Sequence, residues 1–169
     1  TGHGEGQVSA IMLVANSARK RGVDLIADGG VQHSGDIVKA LAAGATSVMM
    51  GSMFMGAEES PAKMVKDHSG IIFKMGKGMS SRDASEEKDR VSKRVRKENP
   101  TPEGIKAPVP YTGPLLSTLE QLRGGVKSGL SYSGSHTIFE LSQKAKFKKV
   151  GEGYAEESAA RAGKFGGYG

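Results

Sequence analysis

Apolar residues recur every three to four positions in three long stretches, and this spacing predicts three amphipathic helices. The first covers residues 8–20, the second is capped by Ser34 and closed by Gly44, and the third covers residues 115–130. Their inward faces are predicted to carry Val8, Ile11, Met12, Ala15 and Ala18, then Ile37, Val38, Leu41 and Ala42, then Leu115, Leu116, Leu119, Leu122 and Val126. Gly124 and Gly125 lower helix propensity inside the third helix, so we expect a neighbour to pack close to that backbone.

Two short apolar runs flank the second helix and predict buried strands. The first begins at Val23 and has its apolar part at 25–27, whereas the second covers residues 47–50. Asp28-Gly29-Gly30 stops the first run and Gly51-Ser52 stops the second. Helices alternating with strands predict an α/β protein with a parallel sheet, either doubly wound or closed as a barrel.

Both glycine turns fall at the carboxyl ends of their strands, where ligands of βαβ units bind. Glycine allows backbone N–H groups to approach a phosphate, and Asp28 could accept hydrogen bonds from a ribose diol. The residues therefore suggest a nucleotide monophosphate site. Taken singly, each glycine pair is more typical of a tight turn than of a phosphate site.

The remaining chain is less regular. We expect a short helix or loop over residues 53–59, a hairpin over 65–77 that includes a strand at 71–74, and a polar segment over 82–102. Thr137 precedes Glu140 at capping-box spacing, which predicts a helix over 137–145, and residues 147–150 are predicted to form a short strand. The last residues, 151–169, form a tail rich in glycine and alanine with no core of its own. Two core strands are too few for a complete barrel, so we expect the final quarter of a (β/α)₈ enzyme, and the start at Thr1 rather than Met favours a fragment.

Composition excludes several classes of protein. The 169 residues contain no cysteine, so disulfides and thiolate metal sites cannot form within the chain. No apolar run is long enough for a membrane span, and the start does not resemble a signal peptide, so we expect a cytoplasmic protein. The net charge of +6 favours anionic ligands. Tryptophan is absent and aromatic residues are few, which argues against nucleic acid as the partner. The four histidines show no metal-ligand spacing.

Five motifs together resemble the carboxyl-terminal part of the IMP dehydrogenase/GMP reductase family. They are IADGGVQHSGDIVKALAAGATSVMMGSMFMG at 26–56, GMSS at 78–81, PEGI at 102–105, VPYTGPL at 109–115 and QLRGGVKSGLSYSG at 121–134. The resemblance implies part of a TIM-barrel catalytic domain over residues 1–150, with a hairpin and a mobile flap (about 82–102) inserted after the last barrel strand. It also implies that a catalytic cysteine precedes TGHGEGQ at 1–7 and lies outside this chain.

The resemblance assigns a purine nucleotide to these motifs. Asp28 corresponds to the carboxylate on the ribose, and the phosphate cradle corresponds to Gly29, Gly30, Gly51 and Ser52. Backbone contacts to the base correspond to Gly78, Met79 and Ser80, and the reader of the base edge corresponds to Glu103 and Gly104. In the flap, Arg90 matches a base that activates water, although Val91 stands where the family has a tyrosine. Gly76 likewise replaces a tyrosine that reaches the phosphate.

The implied activity is NAD-dependent oxidation of IMP to XMP by an IMP dehydrogenase that is a homotetramer when full-length. The resemblance implies that potassium is bound by Glu156, Glu157 and Ser158, although an ordinary acidic tail is the simpler interpretation of these residues. GMP reductase, which deaminates GMP with NADPH, is the alternative favoured by Ser80. The departures at Gly76 and Val91 also leave open a purine-monophosphate-binding protein without turnover. A basic nucleic-acid-binding module built on residues 88–97, which carry six cations and one anion, is the third alternative.

Overall fold

The computed structural model describes residues 3–77 and 106–151, and within them the chain is a mixed α/β structure. Its helices are α1 Gln7–Lys20, α2 Ser34–Ala42, α3 Ser52–Met55, α4 Leu115–Tyr132 and α5 Ile138–Lys144. Its strands are β1 Ile26–Asp28, β2 Ser47–Met49, β3 Lys63–Lys66, β4 Ile72–Lys77 and β5 Lys106–Pro110. Periodicity predicted three helices and the Thr137–Glu140 spacing predicted a fourth; all four and the parallel strand pair are confirmed, with boundaries shifted by a few residues. The partial barrel, the tail and the flap stay predictions.

The parallel pair β1–β2 is joined by α2 and is covered by helices on one face only. Ala27 is 3% exposed and its register partner Val48 packs against the same cluster, whereas Ile26 and Met49 are more than half exposed on the opposite face. The prediction that both strands are buried runs is therefore wrong, because only alternate residues of a strand point toward the helices.

Two hydrophobic clusters hold these elements together. One lies between α1, α2 and the two strands, and the other lies between α2, α4 and α5. The first contains Ile11, Ala27, Ala40, Ala43 and Ala45, and the second contains Val31, Ile37, Leu41, Leu122 and Leu141. Helix α2 contributes to both clusters, so the segment that joins the two glycine turns is also the centre of the packed structure.

The predicted hairpin is confirmed and has a third strand. β3 pairs antiparallel with β4, and β4 pairs antiparallel with β5, which returns from the segment 78–105. Lys77 and Lys106 are the last pair in that register. Because these two residues lie side by side, the segment between them leaves and re-enters the sheet at one place.

The inward faces predicted for the helices are confirmed only in part. On α4, Leu122 is buried and Val126 packs beside it, but Leu116 is 64% exposed and Leu119 is 41% exposed. Met12 on α1 is 43% exposed. A hydrophobic stripe marks the side of a helix, but how many of its residues are covered depends on the neighbours present.

Close packing at the α4 glycines is confirmed for Gly125. A Cβ built there would come closer than 3.0 Å to the side chain of Ser34, whereas one at Gly124 would meet nothing within 4 Å. The sequence did not single out Gly129, where a Cβ would lie 2.6 Å from a methyl of Val38. Gly125 and Gly129 therefore form the surface on which α2 packs.

The start of α2 and residues 147–150 differ from the predictions, whereas the cap of α5 is confirmed. The residue that precedes α2 is His33, and Ser34 is the first residue of the helix rather than its cap. Residues 147–150 form no strand, since no described strand lies alongside to complete the hydrogen bonds. The Thr137 cap is confirmed, because its hydroxyl accepts a hydrogen bond from the Glu140 N–H at 3.1 Å.

Candidate functional site

The two glycine turns lie next to each other at one edge of the parallel pair. Asp28 and Met49 are register partners, so the residues that follow them leave neighbouring strands in the same direction. Adjacent strands are about 4.8 Å apart. Gly29-Gly30 and Gly51-Ser52 are thereby brought together, as the sequence predicted from the strand order.

The β1–α2 turn owes its shape to two glycines in the left-handed region. Gly29 has φ +97° and Gly30 has φ +73°, and a Cβ at either position would meet no atom within 4 Å. Glycine is therefore required for conformation and not for lack of space. Both glycines and the preceding Asp28 are exposed at this end of the strand.

Polar side chains outside the turn hold its backbone. The Gln7 amide at the start of α1 donates to the Asp28 carbonyl oxygen at 3.0 Å. One carboxylate oxygen of Asp36 accepts from the N–H groups of Gln32 at 3.1 Å and His33 at 3.0 Å, and the other accepts from Lys39 at 3.0 Å. Both ends of the turn are thus fixed before any ligand arrives.

The ionised form of Asp36 is stabilised by this arrangement. Partial burial acts to raise the pKa of the carboxyl group, but the hydrogen bonds from Gln32, Lys39 and His33 together outweigh it. The net effect lowers the pKa below its ordinary value of 3.8. Asp36 is therefore a charged anchor of the turn at neutral pH.

The second turn leads directly into the short helix α3. Gly51 precedes it, and Ser52 is its first residue and is exposed. Met55, at the end of α3, faces Gly76 of β4, where a Cβ would come closer than 3.0 Å to the Met55 sulfur. The second sheet is therefore packed against the element that begins at the candidate phosphate turn.

Cavity volume alone does not locate the site. A cavity of about 410 Å³ lies at the amino ends of the strands, next to Val23, Asp24 and Thr46. Beneath the glycine turn, between α1 and α2, there is only about 150 Å³, less than the ~300 Å³ of small ligand pockets. The polar groups and glycines nevertheless converge at the carboxyl ends of the strands, on the open face rather than inside the helical layer.

The other predicted site residues lie outside the described part of the chain. They are Gly78, Met79, Ser80, Arg90, Glu103, Gly104, Glu156, Glu157 and Ser158. Within residues 3–77 and 106–151, no group of three or more His, Asp or Glu side chains could hold a metal ion. In those same ranges, no helix is long and apolar enough to cross a membrane.

Three polar residues of this region were not singled out from the sequence. Asp36 follows His33 at capping-box spacing, so the carboxylate could have been found had histidine been considered as the capping residue. Lys74 is a buried residue of β4, and the sequence signal for it is a charged residue between the apolar residues Phe73 and Met75. Gln7 gave no signal beyond its position at the end of a polar segment.

Comparisons with known proteins agree with the geometry. Residues 1–161 match the family model described as the IMP dehydrogenase / GMP reductase domain. The chain is 45% identical to an inosine-5′-monophosphate dehydrogenase of Halalkalibacterium halodurans, covering 88% of this chain and 31% of that relative. It is 43% identical to a GMP reductase of Leishmania donovani, covering 94% of this chain and 33% of that relative.

A solved structure shares the fold as well. A GMP reductase variant of Trypanosoma brucei, in complex with guanosine 5′-monophosphate, superposes with a TM-score of 0.86 at 36% identity. The alignment covers 94% of this chain and 32% of that one, so the chain spans about a third of the length of its relatives. With its family model matched over nearly the whole length, the chain belongs to the IMP dehydrogenase/GMP reductase family.

Proposed function

We propose that this chain is the nucleotide-binding part of an IMP dehydrogenase, the enzyme that oxidises IMP to XMP with NAD as hydride acceptor. The observation that carries the proposal is the register of β1 and β2, which places Asp28 and two glycine turns side by side. Family membership supports a purine nucleoside monophosphate as the ligand of this edge.

The described residues supply binding and orientation. The Asp28 carboxylate would accept hydrogen bonds from the two ribose hydroxyls, as its exposed position at the strand end allows. The phosphate would lie against the backbone of Gly29, Gly30 and Gly51, with the Ser52 hydroxyl as a further donor. Backbone N–H groups suit this task because they are fixed by the fold and present no side chain that must be ordered.

The remaining assignments rest on the resemblance. Gly78, Met79, Ser80, Glu103 and Gly104 would contact the base, and Arg90 would act in water activation. Glu156, Glu157 and Ser158 would bind potassium in a homotetramer of the full-length protein. Hydride transfer would further need a cysteine from outside this chain, so we expect no NADH formation from IMP by the chain alone.

GMP reductase is the second candidate, favoured by Ser80 and by relatives of that name at similar identity. A chimeric enzyme distinguishes IMP oxidation from GMP deamination. In it, this chain replaces the matching third of the Halalkalibacterium halodurans inosine-5′-monophosphate dehydrogenase. We expect NADH formation from IMP. Ammonia release from GMP with NADPH would instead assign the reductase. A chimera that binds both nucleotides without either reaction would favour a binding protein without turnover.

Calorimetry on the chain itself tests the binding site. Asp28→Ala is compared with Asp24→Ala, an exposed carboxylate at the amino end of the same strand. We expect IMP binding to weaken about 10- to 150-fold for Asp28→Ala, because a charge-assisted hydrogen bond of about 1.5–3 kcal/mol is lost, and to be unchanged for Asp24→Ala. Equal affinity of both variants would contradict the assigned site.

A further inference from the structure

The buried cation of β4 has no role in the nucleotide contacts described above. Lys74 is only 3% exposed, and its ammonium donates to the carbonyl oxygens of Glu58 at 2.8 Å and Ser60 at 2.7 Å. Burying a charged group is costly unless its hydrogen bonds are made. These two bonds therefore fix the course of the backbone at 58–60 against the second sheet.

The same segment binds the region before α4. The Glu58 N–H donates to the Gly113 carbonyl at 2.8 Å, and the Thr112 N–H donates to the Gly56 carbonyl at 2.9 Å. The Glu59 carboxylate accepts from the Leu115 N–H, the first residue of α4, at 2.8 Å. Residues 56–60, which we name the junction, thus connect β4, the β5–α4 connection and α4.

The junction also continues directly from α3, which ends at Met55. Gly76 lies two residues beyond Lys74 and so on the same face of β4, and it packs against Met55. Residues 74 and 76 therefore dock one strand on both α3 and the junction. That strand ends at Lys77, where the segment carrying Met79 and Ser80 begins.

We propose that Lys74 is a positioning residue for nucleotide binding, acting through the junction on the turn at Gly51-Ser52. The ammonium holds the end of α3 in place, and α3 begins at the turn assigned to the phosphate. This inference rests on the proposed function, since it concerns the same nucleotide.

The absence of cysteine allows the ammonium to be removed and restored chemically. In Lys74→Cys, the unfolded chain is alkylated with 2-bromoethylamine and refolded, which places an ammonium at nearly the original distance. Alkylation with iodoacetamide gives a neutral side chain for comparison. Lys66→Cys, at an exposed position of the neighbouring strand β3, is treated identically as the control.

We expect IMP affinity, measured by calorimetry, to fall about tenfold in Lys74→Cys and in its neutral adduct. Aminoethylation should restore it to within about twofold of the unmodified chain, and the three Lys66 forms should not differ. Affinity that is unchanged in Lys74→Cys, or unrestored by aminoethylation in a refolded chain, would overturn the inference. Failure of the unmodified chain to bind IMP would overturn the proposed function itself.

Hydrogen exchange on the unmodified chain tests the coupling even if Lys74→Cys does not refold. IMP should slow exchange at the N–H groups of Glu58, Thr112 and Leu115, none of which belongs to the proposed ligand contacts. Protection restricted to the two glycine turns would show that the junction does not respond to the nucleotide and would overturn the inference.

Discussion

Gly124 and Gly125 are adjacent in α4 but differ in their surroundings. Replacing each by alanine therefore distinguishes the effect of packing from the effect of helix propensity. A Cβ at Gly125 would come closer than 3.0 Å to both the Cβ and the hydroxyl oxygen of Ser34, but one at Gly124 would meet open space. Rotation of the Ser34 side chain moves the hydroxyl but leaves its Cβ in place. Alanine at 125 can therefore be accommodated only by moving one helix relative to the other.

The gain in helix propensity and the cost of overpacking can be compared in magnitude. Replacing glycine by alanine inside a helix stabilises it by about 1 kcal/mol. Separating the two Cβ atoms of positions 125 and 34 to ordinary contact at ~3.5–4.0 Å needs a shift of at least about 1 Å. Overpacking of this kind typically costs about 1–3 kcal/mol. We therefore expect Gly124→Ala to stabilise by about 1 kcal/mol and Gly125→Ala to lie roughly 1–3 kcal/mol below it.

Urea denaturation followed by circular dichroism measures both variants. The comparison uses midpoints and slopes, because a changed slope would indicate altered compactness rather than altered packing. A shift of 1 kcal/mol corresponds to about 2–4 °C in the melting temperature of a domain of this size. If Gly125→Ala were as stable as Gly124→Ala, the close approach of α4 to the start of α2 would be refuted.

Three further variants test the caps and the core. Asp36→Asn should lower the free energy of unfolding by about 1 kcal/mol at pH 7. Because folding lowers the pKa of the Asp36 carboxyl, the stability advantage of the original chain should be present above pH 3.8 and be lost as the pH falls through the folded pKa. Melting temperatures of both chains from pH 7 to pH 2.5 measure this difference. A pH-independent difference would contradict the anchor. Thr137→Ala removes the acceptor of the Glu140 N–H and should cost about 1 kcal/mol by urea denaturation, whereas an unchanged midpoint would argue against the cap. Leu141→Ala empties a side-chain site that is 2% exposed and should cost about 2–5 kcal/mol, and a loss below 1 kcal/mol would place Leu141 outside the core.

Helix periodicity predicted α1, α2 and α4 because each of these helices has buried residues on one side. It could not predict the extent of covering. Leu116 and Leu119 belong to the same apolar stripe as Leu122, yet only Leu122 meets α2 and α5 in the described structure. Burial depends on the neighbours of an element, and those are not encoded in its own spacing.

The candidate site divides in the same way. The positions of Asp28 and the glycine turns in the fold could be predicted, because they are local features at the ends of recognisable strands; their role in binding stays a prediction. Lys74 and Gln7 could not, since their partners are backbone carbonyls of distant segments. Backbone acceptors occur at every residue, so the sequence contains no sign of which one a side chain will reach.

Gly76 shows how a local departure from the family pattern is matched by its surroundings. The family commonly has a tyrosine there that reaches the phosphate, as the resemblance implies. In this chain a Cβ at 76 would lie 3.0 Å from a methyl of Val109 and closer than that to the Met55 sulfur, so the space is already filled. An aromatic side chain at 76 would have to displace Met55 from the end of α3. If the proposed site is correct, the phosphate on this side is left to the turns at Gly29-Gly30 and Gly51-Ser52, and the contacts that keep α3 in place gain importance.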